Sequence, residues 1–100
     1  MITELEAEAF LRDAIEDLFR SELRHEILKG ITKGFGELRK SGTKKRAVRA
    51  LNAMIDQALE VAAEQLVGDD KEAAGQAKEA AIDLLLARGY LRKIGSSPPK

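Results

Sequence analysis

One hundred residues with fifteen alanines, four aromatics and no cysteine describe one small domain of helix-forming composition. The lack of thiols excludes disulfides, thiol catalysis and Cys-ligated metals, and no apolar run has the length of a membrane span. The formal charge is zero, yet it is sorted into blocks: residues 1–28 sum to −5, 29–50 to +7, 51–83 to −6 and 84–100 to +4.

Thr3 followed by Glu6 has the spacing of a capping box, and a first helix is predicted from about residue 4 to Lys29. Its apolar residues Ala7, Leu11, Ile15, Phe19, Leu23, Ile27, Ile31 and Phe35 recur every fourth position. Each such step drifts by about 40° around a helix, so the row winds instead of staying on one face. A continuous helix would meet different neighbours at its two ends, as in an oligomer. A break near Gly30 would place Ile31 and Phe35 on another element. Gly30, Gly34 and Gly36 cluster together, and the break is expected there, with one short helical turn at residues 37–40.

Ser41-Gly42-Thr43 reads as a turn with Ser41 or Thr43 as N-cap. The following helix is predicted to run to about Val67, with Val48, Leu51, Ile55, Ala58, Ala62 and Leu66 on its apolar face and Gly68 after its end. Asp69 and Glu72 open the next helix, whose apolar face comprises Ala74, Ala77, Ala81, Leu84 and Leu85. Arg88-Gly89 is its expected end, with Tyr90 and Leu91 folded back. Three consecutive leucines, Leu84 to Leu86, cannot all face one narrow core, so Leu86 is expected to cover another surface. Residues 95–100, Gly-Ser-Ser-Pro-Pro-Lys, have linker composition and are expected to form a disordered tail on a domain of residues 1–94.

The fold class is therefore all-α: a bundle of three helices, or four with the segment before Ser41, completed by homodimerisation because so short a chain buries little surface. Leu11, Ile15, Phe19, Leu23, Ile27, Leu84 and Leu86 are the candidate self-association residues.

The basic block supplies the candidate contact for an anion or partner: Lys29, Lys33, Arg39, Lys40, Lys44, Lys45, Arg46 and Arg49. Lys44, Lys45 and Arg46 fall in the first turn of a predicted helix, beside the positive end of its dipole, where an anion would offset them. Internal pairing with the acidic first helix is the plainer account. A helix-turn-helix fits poorly, because the would-be recognition helix begins with Asp69, Asp70 and Glu72. His25 is the only histidine. Glu22-x-x-His25 has a di-iron spacing, but His25 stands about 200° from Leu23, away from the apolar stripe, so no metal site is expected. No nucleophile, base and orienting group can be assembled around it, and no cofactor is expected.

These features point to a non-enzymatic helical interaction or adaptor protein. It would self-associate, with a dimer favoured, and bind a macromolecular partner through helix faces and the basic segment. A protein partner is preferred over nucleic acid because neutral net charge weakens attraction to phosphate backbones. The alternative is a small nucleic-acid-binding or transcription-regulating protein whose block 29–49 contacts phosphates. No membrane association is expected, and with an acidic N-terminus the expected location is the cytoplasm.

Overall fold

A chain reversal at Phe19 resolves the winding apolar row. In the computed structural model, which describes residues 2–19, 21–40 and 42–95, α1 spans Glu4–Leu18 and α2 spans Ser21–Leu38. Phe19 is extended, at φ −118° and ψ 147°, and its N–H still donates to the Ile15 carbonyl at 2.9 Å. The carbonyls freed at the joint are covered by side chains. Arg24 Nε donates to the Phe19 carbonyl at 2.8 Å, and Gln65 Nε2 donates to that of Leu18 at 3.4 Å. The break is thus eleven residues before the expected one at Gly30. The physical reason is the drift of the row: seven steps from Ala7 to Phe35 turn it through about 280°, more than one core can cover. Folding back at Phe19 lets Ala7, Leu11, Ile15 and Leu18 face the same interior as Ile31, Phe35 and Leu38.

Two further helices follow, α3 over Lys44–Leu66 and α4 over Lys71–Gly95. Four full helices are present where three were expected, or four with a short segment before Ser41. The fourth comes instead from the division of the first at Phe19, and residues 37 and 38 belong to α2. The capping box of α1 forms as its sequence requires, and the cap of α4 is Asp70, one residue after the expected Asp69. At α1, Thr3 Oγ1 accepts from the Glu6 N–H at 3.2 Å while Glu6 Oε1 accepts from the Thr3 N–H at 2.9 Å. At α4, Asp70 Oδ1 accepts from the N–H groups of Glu72 and Ala73. The end of α4 differs from expectation, because the helix continues through Gly89. Leu84, Ala87 and Leu91 keep helical spacing on its buried side, so burial of Leu91 outweighs the local preference of glycine for a stop. Arg92 and Lys93 then lie in the last turn, at the negative end of the dipole. Gly95, placed in the expected tail, is the last residue of α4, and residues 96–100 of that tail lie outside the described residues.

Successive helices run antiparallel. Arg12 pairs with Thr32 and Arg39 with Glu4 across α1 and α2, and Arg88 pairs with Asp56 across α3 and α4. α1 and α3 also pack on one another, whereas α2 does not pack on α4. The section is accordingly flattened, with overall extents of 50 × 27 × 19 Å: α1 and α3 close the short diagonal, and α2 and α4 occupy the ends of the long one.

Small residues set these distances. Ala77, Ala80 and Ala87 of α4 and Ala47, Ala58 and Ala62 of α3 are buried. The glycines of α2 do not break it. A Cβ on Gly34 would stand 2.7 Å from Leu51 Cδ2, and one on Gly30 would stand 2.9 Å from Met54 Cε, so both mark close approach of α3 to α2. Among the described residues no polar side chain belongs to the core, although Asn52 Oδ1 at its edge is shielded without a hydrogen-bond partner. No helix among them is long and apolar enough to cross a membrane.

Candidate interaction surfaces

α4 carries two apolar stripes. The inner one comprises Ala77, Ala80, Leu84, Ala87 and Leu91, each fully buried. Ile82, Leu85 and Leu86, followed by Gly89, recur at helical spacing on the opposite side of the helix, about 180° from the first stripe. The exposures are 52% for Ile82, 54% for Leu85 and 41% for Leu86. The reversed α1 brings Ile2 against this stripe, where it lines an open groove of about 320 Å³ with Leu85, Leu86, Gly89, Tyr90 and Lys93. A buried stripe on one side and an apolar one on the other is more than a four-helix monomer needs.

The other candidate self-association residues divide in three ways. Leu11, Ile15 and Leu84 are buried in the chain's own core; Phe19 and Ile27 are half-buried at its margin; Leu23, like Leu86, is exposed.

The eight residues of the basic block are all exposed, and the fold distributes them. Arg39 is taken up by Glu4, Nε to Oε2 at 2.9 Å, which favours its charged form further. Lys44, Lys45 and Arg46 occupy the first turn of α3, and Arg49 follows one turn on. Thr43, the N-cap there, makes no side-chain cap; its hydroxyl donates instead to the Glu37 carbonyl at 2.9 Å. Lys29 and Lys33 lie elsewhere. With Arg12 of α1 and His25, Leu28 and Thr32 of α2 they line an open groove of about 400 Å³. Arg12 Nη1 donates to Thr32 Oγ1 at 2.6 Å, Thr32 Oγ1 donates to the Leu28 carbonyl at 3.2 Å, and Glu8 lies 3.9 Å from the same Arg12 nitrogen. Neither Lys29 nor Lys33 has an ion-pair partner among the described residues. Like charges one turn apart cost an isolated helix about 0.2–0.5 kcal/mol per pair.

The negative counterpart is on the α1/α4 face. Burial raises the Asp17 carboxyl above its ordinary value, and Asp13, Glu79 and Glu16 raise it further. Asp83 is raised by burial and then by Asp13, Asp17 and Glu79. Acids on two antiparallel helices therefore meet at this face and raise one another's carboxyl values.

Arg12 and Thr32 were not among the candidates for an anion contact in the sequence, and His25 was weighed only as a metal ligand. Arg12 and Thr32 are twenty residues apart and meet only because the chain turns at Phe19, a position with no glycine or proline to announce it. Comparison with protein-family models, curated proteins and solved structures finds no match to this chain.

Proposed function

We propose that this chain is a non-enzymatic helical interaction module that works as a homodimer, with the outer stripe of α4 as its assembly face. The observation that carries this reading is the exposure of Ile82, Leu85 and Leu86 directly opposite the buried stripe of the same helix. A second copy is the occupant that suits the stripe, because the stripe is self-complementary. Ile82 and Gly89 stand on either side of Leu85 and Leu86. A two-fold, antiparallel pairing of α4 helices sets each Ile82 over the Gly89 of the other copy, where no side chain stands, and the leucines against one another. The same pairing brings Glu79 toward the Arg92–Lys93 end of the other helix, at both ends by symmetry. A macromolecular partner then has the cationic faces of α2 and α3 for contact.

Sedimentation velocity of the purified chain at micromolar concentration tests the assembly. The expected result is a dimer that persists in molar salt, and a monomer of unchanged helicity when Leu85→Glu and Leu86→Glu are combined. A wild-type monomer at about 100 μM would remove the reading, since apolar interfaces of useful size hold at micromolar concentration.

The second reading is contact with nucleic acid. Lys40, Lys44, Lys45, Arg46 and Arg49, exposed around an α3 N-terminus whose N-cap Thr43 makes no side-chain cap, support it. Its signature is duplex or single-strand binding that weakens steeply with salt and is abolished when Lys44, Lys45 and Arg46 become Glu.

A further inference from the structure

We infer that the groove between α1 and α2 is a binding site for a short polyphosphate-bearing small molecule, held by Arg12, Lys29 and Lys33 with His25 at its rim.

Three observations carry this. First, cations converge from two helices onto one concave surface: Arg12 from α1, and Lys29 and Lys33 from successive turns of α2, with the imidazole of His25 lining the groove one turn earlier. Lys29 and Lys33 face it with no carboxylate partner among the described residues. Second, the hydrogen bond that holds Arg12 is to a neutral group, and Glu8 is the ion-pair partner of Arg12 at 3.9 Å. The Arg12 guanidinium donates to the Thr32 hydroxyl, which is itself committed to the Leu28 carbonyl, so the remaining guanidinium donors stay available as a planar fork. Glu8, at 3.9 Å, is too far to be a hydrogen-bond acceptor for it. Third, the cationic row is short. Lys29 and Lys33 are about 6 Å apart along the axis, and the His25 imidazole stands about another 6 Å before them, roughly 12 Å in all. The next residue of the row is Glu37, Glu22 precedes the row at its other end, and Glu26 stands beside His25. Acids at both ends repel a strand that runs on and admit an anion that ends within two turns. Leu28 gives the groove an apolar patch, which suits a ligand with a phosphate chain and a less polar body.

The inference is independent of the assembly reading, since α2 and α4 stand at opposite ends of the long diagonal and a monomer would retain the groove. It differs from the nucleic-acid reading in location and in ligand length.

The test is a titration of the full-length, ¹⁵N-labelled chain with inorganic triphosphate at about 0.15 M salt, where the Debye length is about 8 Å, followed by heteronuclear NMR. The expected result is saturable shifts centred on residues 12, 25, 29, 32 and 33. Combining Lys29→Gln with Lys33→Gln should weaken binding by about tenfold or more, since each removes a charge-assisted contact. Arg12→Lys keeps the charge but loses the fork, and should weaken binding less than the double variant does. Combining Lys45→Gln with Arg46→Gln should leave the affinity within about twofold, because screened exposed charges at another helix end act weakly at this distance. All the substituted residues lie outside the core, and circular dichroism verifies that each variant keeps its helices. Shifts that do not saturate, or that centre on the first turn of α3 and follow Lys45 and Arg46, would overturn the inference. So would far tighter binding of a single-stranded oligonucleotide that depends on the α3 cations as much as on Lys29 and Lys33.

Discussion

α2 and α4 never touch, and their outward faces could hardly differ more. α4 is sealed inside by alanine and leucine and shows Ile82, Leu85 and Leu86 on its outside. α2 is seated on α3 through Gly30 and Gly34, with cations along its outside. A helix exposed along one side can carry a second purpose on that side without disturbing its packing. Here the two purposes are of opposite physical kind, one apolar and tolerant of salt, the other electrostatic and weakened by it.

The largest test of this contrast is within α4 itself. Leu84 is fully buried and Leu85, its neighbour, is 54% exposed. Leu84→Ala should cost about 2–5 kcal/mol, the usual range for a cavity in a tight core. Leu85→Ala should change the unfolding free energy of the monomer by about 0.5 kcal/mol or less and act on association instead. Urea unfolding of both variants at low protein concentration separates them. Equal losses would mean that the outer stripe is part of the monomer's core, and the division between the two faces would fail.

The seating of α2 is tested next. Gly34→Val puts a branched side chain where Leu51 Cδ2 and Cγ already stand within 3 Å of an added Cβ, and Leu51 is itself fully buried. Overpacking of this kind costs about 1–3 kcal/mol. Gly75, in the interior of α4, has open space around it. Gly75→Ala should stabilise by about 0.5–1 kcal/mol, because it removes backbone freedom from the unfolded chain without a clash. Thermal unfolding of the two variants should move in opposite directions. A Gly34→Val protein as stable as wild type would show that α2 is loosely held.

These contrasts also measure how much could be read in advance. The helical class, the capping box of α1, an acidic start to α4 and the surplus of apolar residues at Leu84–Leu86 follow from local rules, and each is present in the structure. The reversal at Phe19 does not follow, because nothing local breaks a helix there. The break relieves a mismatch between a four-residue repeat and the helical period, a property of the whole row. The glycines misled for the complementary reason. A glycine that admits a neighbouring helix and a glycine that ends a helix look alike until the neighbour is in place. The α1/α2 groove depends on that reversal, so Arg12 and Thr32 could not be joined to Lys29 and Lys33 beforehand.

The smallest expected effect concerns the acidic face that α4 shares with α1. Asp17 and Asp83 have carboxyl groups raised above their ordinary value of 3.8, by burial first and then by neighbouring acids, Asp13 and Glu79 for both. A carboxyl whose folded value exceeds its unfolded one binds its proton more readily in the folded state. Stability therefore falls as pH rises through that window, and the cost persists at neutral pH. As pH drops from neutral toward the unfolded value, the folded state takes up protons first and this face gains stability. Below the unfolded value both states are protonated and the gain is complete. Asp17→Asn combined with Asp83→Asn should make the protein more stable than wild type at pH 7 and flatten its gain on acidification toward about pH 4, close to the unfolded value. Urea unfolding at the two pH values measures both. If the variant matched wild type in stability and in pH dependence, the carboxylates would be fully screened by water, and the α1/α4 face would carry no strain to distinguish it from the α1/α2 face.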